Sequence, residues 1–219
     1  MKNYLYILAA CSLFPVCSTA QTTICINKGD SVFAGGTDRS RIKSIRDFNF
    51  VYDGPLDTSV TNSIIRIASN SPDIKTFSTS CVLLLKDLYT GYFSGILHDE
   101  PAYFDQQVMR NQVSTVVGEI CFFGFENNKA VLLDAVFYIN KGVRHPVVIS
   151  YSLQPQYLAF LTAGYRPRQK GVVGNLEDGG GALEIKKFIK IGSDGPADGS
   201  GPPIDVLVLT KNGKRWIRK

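Results

Sequence analysis

The sequence predicts an α+β domain: an antiparallel β-sheet, made of a meander at about residues 119–153 plus a C-terminal hairpin, with two to four helices packed on it. Three observations carry this. Ile120 to Phe125 and Ala130 to Ile139 are apolar runs separated by Glu126-Asn127-Asn128, and apolar and polar residues alternate from Val147 to Leu153. Connections this short join antiparallel neighbours, not parallel crossovers. Near the C-terminus Asn212-Gly213 divides Ile204–Thr210 from Arg215–Arg218, a hairpin signal because both residues tolerate the positive φ of a type I′ turn. Ahead of the meander, apolar residues recur at helical spacing behind capping residues.

Taken in chain order, residues 1–20 read as an export signal. Lys2 gives the positive start, Tyr4 to Val16 an apolar run broken only by Ser12, and Ser18-Thr19-Ala20 a small-residue exit, so the mature chain begins at Gln21. Leu8-Ala9-Ala10-Cys11 also has the form of a lipobox, which would make Cys11 a lipidated first residue. Cys11 lies inside the apolar run, however, and cleavage after Ala20 fits better. The run is shorter than the about 18–20 residues that span a bilayer. The expected location is periplasmic or secreted, with an outer-membrane-anchored lipoprotein as the alternative and no transmembrane segment in the mature chain.

Residues 21–219 then form a single globular domain. Asp57 to Ser59 cap a helix over Val60 to Ala68, whose Ile64, Ile65 and Ala68 share a face. Thr76 to Tyr89 is open between helix and buried strand, since Val82-Leu83-Leu84-Leu85 suits either. Asp99 is expected to cap a helix with Pro101 in its first turn and Phe104 and Val108 on one side. A further helix is expected from Pro155 through Leu158 and Leu161 to Gly164. Gly/Pro-rich loops follow near 171–181 and 192–203, with a short strand between them over Ala182 to Ile191.

The formal charge of +5 includes one leader lysine and favours acidic partners without requiring them. Export separates the protein from most nucleic acid, which is therefore not an expected partner. Cys25, Cys81 and Cys121 remain after leader removal, an odd number for an oxidising compartment. Cys81 and Cys121 both fall in apolar runs and are the expected disulfide, against the alternative of three buried free thiols.

Residues suited to catalysis are few. His98 and His145 are the only histidines. His98, followed by Asp99 and Glu100, is a candidate base oriented by Asp99 or Asp134, although acids at a helix start are favoured there by the macrodipole alone. Asp134 interrupts Val131 to Ile139 and lies either on the less buried face of the strand or in a pocket. There is no His-Glu-x-x-His, Cys-x-x-Cys or phosphate loop, and Asp194 and Asp198 do not match a calcium loop, so no metal or cofactor is expected. Lys211, Lys214, Arg215, Arg218 and Trp216 form the densest basic cluster, able to bind an anionic membrane or glycan, or simply to protect a sheet edge.

The sequence therefore supports an exported, non-catalytic protein that binds a protein or cell-envelope component. A small hydrolase using His98 or His145, and anionic binding through the C-terminal hairpin, are the alternatives.

Overall fold

The computed structural model describes residues 22–36, 39–53, 58–105, 114–140, 146–162 and 204–218. It is an α+β fold, mostly strand, but its strands form two antiparallel sheets where one was expected. The first contains β1 (Thr22–Asn27), β2 (Ser31–Gly36), β8 (Leu158–Thr162), β9 (Asp205–Thr210) and β10 (Gly213–Arg218), ordered β10-β9-β2-β1-β8. The second runs in chain order through β3 (Ile42–Ile45), β4 (Phe48–Asp53), β5 (Ser114–Glu126), β6 (Lys129–Asn140) and β7 (Ile149–Pro155). Between β4 and β5 lie α1 (Thr58–Asn70), α2 (Ile74–Asp99) and the single turn α3 (Pro101–Tyr103).

The meander is thus β5-β6-β7. Its first turn places Asn127 and Asn128 at φ 50° and 64°, the left-handed pair that a two-residue hairpin needs. The C-terminal hairpin is also present, yet β9 pairs with β2, Phe33 opposite Val208, so it belongs to the other sheet. Its turn differs from the expected one. Lys211 and Asn212 occupy the centre, and the positive φ falls on Gly213, at 132°, as β10 begins.

Alternation along β5 and β6 sends side chains both ways into apolar layers. Ile120, Phe122, Ala135, Phe137 and Ile139 meet the helices. Cys121, Phe123, Ala130 and Leu132 meet the first sheet. Sheets buried on both faces read as continuous apolar runs, which is how these segments appear in the sequence.

α2 resolves the ambiguity over Thr76–Tyr89 in favour of a helix. Ile74, Phe77, Cys81, Val82, Leu85, Tyr89, Phe93 and Leu97 are buried along it at three- and four-residue spacing. Asp73 caps it, accepting from Thr76 N–H at 2.7 Å. The helix continues through Gly91 and Gly95 to Asp99, so Asp99 ends this helix and does not cap the next. Pro101 explains the break, because the residue before a proline is driven out of the helical region, and Glu100 sits at φ −138°, ψ 65°. The expected Val108 lies outside the described residues, as do Asp57, Gly164, the 171–181 and 192–203 loops and the Ala182–Ile191 strand.

The helix expected from Pro155 is overturned. β7 runs to Pro155, and Leu158–Thr162 pairs with β1, Cys25 opposite Ala159. A five-residue apolar run carries no period that separates strand from helix, and the open edge of β1 decides it.

Phe77 centres the helix–sheet core. It stacks on Phe48 at 5.1 Å and meets Phe122 edge-on at 5.3 Å. About three turns further on, the Tyr89 hydroxyl lies 3.1 Å from that of Tyr52. Gly118, beside a register shift in β5, leaves the space that the Tyr89 hydroxyl and ring occupy; a β-carbon there would overlap both. Gly118→Ala is therefore expected to lower stability by about 1–3 kcal/mol in chemical denaturation, the usual cost of overpacking. Tyr89→Phe added to it should recover part of that loss, and an alanine variant as stable as the parent would show that this contact is not tight.

Candidate functional site

Residues singled out in the sequence do not converge. His98 stands near the end of α2, its Nδ1 2.9 Å from Asp99 Oδ1, with the two side chains 87% and 77% exposed. A pair this solvated contributes little. Asp134 is half-buried on β6, opposite Cys121 and Gln154, on the face directed at the first sheet. His98 and Asp134 thus belong to different layers. His145, the other candidate catalytic histidine, and Cys11, the alternative lipidation site, lie outside the described residues, as do Asp194 and Asp198. Among the described residues no group of His, Cys, Asp or Glu is arranged to hold a metal ion, and no helix is long and apolar enough to cross a membrane.

The basic hairpin is divided by its own pleat. Lys214 and Trp216 share one face and Arg215 and Ile217 the other. Lys214 Nζ donates to Ser44 Oγ at 2.7 Å and to the Arg46 carbonyl at 3.2 Å, joining β10 to the β3–β4 turn of the second sheet. Trp216 packs against the layer between the sheets. Lys214 is thus tied to the second sheet although it is exposed like Lys211 and Arg215; Arg218 ends β10, at the register position opposite Asp205.

The cysteines are also rearranged. Cys81 lies in the helix-side core and Cys121 between the sheets, on opposite faces of the second sheet, so the expected Cys81–Cys121 pair is not brought together. Burial pushes the Cys81 thiol up to about 12. Cys121 is pushed well above its ordinary value by burial, by a hydrogen bond with Cys25, and by the charges of Asp134 and Glu119.

Three turns meet around a polar notch of about 360 Å³. Arg46, left-handed at φ 52°, comes from the β3–β4 turn and donates to the Ser69 carbonyl at 2.8 Å. Asp73 comes from the start of α2, and Glu126 and Asn127 from the β5–β6 turn. Arg46 and Asp73 are engaged in closing helix ends, and Asp47 and Glu126 make the rim acidic.

Sequence reading passed over Thr23. It is 1% exposed, shares a face of β1 with Cys25, and stands opposite Gly36 and Leu161. Its Oγ1 is buried without a hydrogen-bond partner among the described residues, a state that is rare in native proteins. Nothing in the local sequence of Thr23 singles it out. In comparison with known proteins, the chain matches no family model and shows no significant similarity to a curated protein.

Hydrogen bonding to Thr76 N–H holds the Asp73 carboxyl below its ordinary 3.8. A carboxylate lowered on folding adds stability above its unfolded value, and that contribution is lost as the pH falls through the folded one. The start of α2 should therefore loosen as the pH falls below 3.8. Asp73→Asn retains a capping oxygen, and its circular-dichroism acid titration should lose helix less steeply over that range than the parent. Coincident titrations would remove the role given to Asp73.

Proposed function

We propose that this is an exported protein, periplasmic or secreted, that works by binding a protein through its helix layer. The leader motivates export. The observation supporting binding is a stripe on α2 made of Leu88, Gly91, Tyr92 and Gly95, positions that fall on one helix face at three- and four-residue spacing.

Leu88 is 37% and Tyr92 42% exposed, and nothing lies within 4 Å of where a β-carbon would stand at Gly91 or Gly95. Each mid-helix glycine costs about 1 kcal/mol relative to alanine, and no contact among the described residues requires either. Small residues between apolar ones allow another backbone to approach closely, and tyrosine is enriched at interfaces. A helical segment of a partner fits this stripe.

Gly91→Leu tests the reading, because it fills the approach while favouring the helix. The variant should melt no lower than the parent, yet fail to retain the partner that the parent retains after crosslinking in its native compartment. Equal retention by the two chains would sink the proposal.

A further inference from the structure

The layer between the two sheets contains a pair of thiols that the expected cysteine pairing did not anticipate. Cys25 is on β1, the fourth strand of the first sheet, and Cys121 is on β5, the middle strand of the second. Both are fully buried and free in the structure and lie in the one apolar layer that joins the sheets, and Cys25 is among the neighbours that raise the Cys121 thiol. The neighbours of Cys25 across the first sheet are Ala34 on β2 and Ala159 on β8, both buried in the same layer. Small residues flanking the cysteine let the two sheets draw closer at this point. Two cysteines buried in the same layer between facing sheets are placed where a disulfide, which needs its two Cβ atoms about 4 Å apart, can join them.

We propose that Cys25 and Cys121 form a disulfide that staples the first sheet to the second. In forming it, the two S–H bonds break and one S–S bond forms. The two protons and two electrons pass to the disulfide of a thiol oxidant, such as a periplasmic or secretory thiol–disulfide oxidoreductase, whose own S–S bond is reduced to two thiols. An oxidising compartment is needed, and in this respect the proposal rests on the export reading. Burial makes both sulfurs inaccessible once the sheets have closed, so the bond forms while the chain is folding. Cys81, behind the second sheet, is the thiol left over.

The full chain, denatured with reductant and refolded in a glutathione redox buffer, provides the test. Peptide mapping of the folded fraction should show Cys25 linked to Cys121, with Cys81 alkylated only after denaturation. Alkylation of both Cys25 and Cys121 in denaturant without reductant, or a link from Cys81 to either, overturns the proposal. Cys25→Ala and Cys121→Ala, separately and together, should each lower the Tm of the oxidised protein by roughly 8–16 °C, as expected for closure of a long loop in a domain of this size. In reductant that difference should shrink to the effect of the alanine alone; an equal loss with and without reductant overturns the staple. The same mapping on protein taken from its native compartment separates the two readings. A reduced native protein that forms the Cys25–Cys121 link on refolding keeps the pairing and removes the export reading.

Discussion

The fold depends on burying β5 on both of its faces. Ile120, Cys121, Phe122 and Phe123 are consecutive and each is fully buried, two facing the helices and two the first sheet. Each large side chain removed from water contributes about 1.5–3 kcal/mol, so neither covering layer can withdraw without a heavy loss. Hydrophobicity alone would not fix the register of such a strand, since a slip by one residue exchanges one apolar set for another. Size and turn chemistry decide it here. Phe122 fits edge-on to Phe77, Gly118 makes room for Tyr89, and the left-handed Asn127-Asn128 turn sets where β6 begins.

This two-sided burial also determines what could be read from the chain. The meander was legible because Glu126-Asn127-Asn128 and the alternation after Val147 punctuate it locally. α1 was legible from the spacing of Ile64 and Ala68, both fully buried, but Ile65, expected on the same face, is 36% exposed, and Thr58 and Ser59, expected as caps, lie inside the helix. The division into two sheets was not, because the pairing of Phe33 with Val208 joins segments far apart in sequence and leaves no local trace. Leu158–Thr162 failed for a related reason: its partner is β1, at the other end of the chain. The full length of α2 was hidden by Gly91 and Gly95, which lower helix propensity but are outweighed by the burial of Tyr89, Phe93 and Leu97.

Candidate site residues were harder to read than the fold, and β10 shows why. A cluster of charges in sequence has no direction until its pleat is fixed, and the pleat sends Lys214 and Trp216 toward the second sheet while Arg215 faces away. A cationic patch in the sequence becomes a strut in the structure. The cysteines behave likewise. Cys81 and Cys121 both lie in apolar runs, but one belongs to a helix and the other to the far face of a strand, and only three-dimensional layering shows that Cys25 is the neighbour.

The face of β1 directed at the second sheet brings these threads together. Thr23, Cys25 and Asn27 alternate along it with Ile24 and Ile26, giving three small or polar side chains where an ordinary sheet-to-sheet contact would be aliphatic. Asn27 uses its polarity to bind the second sheet, donating through Nδ2 to the Ala130 carbonyl at 3.1 Å and accepting from Gly29 N–H at 2.8 Å. Cys25 shares its buried layer with Cys121. Thr23, toward the other end, is just as buried but its hydroxyl has no hydrogen-bond partner among the described residues. Burying an unsatisfied hydroxyl costs about 1–3 kcal/mol, and valine would fill the same space at no such cost. Of the three, Thr23 is therefore the one whose chemistry the fold does not explain.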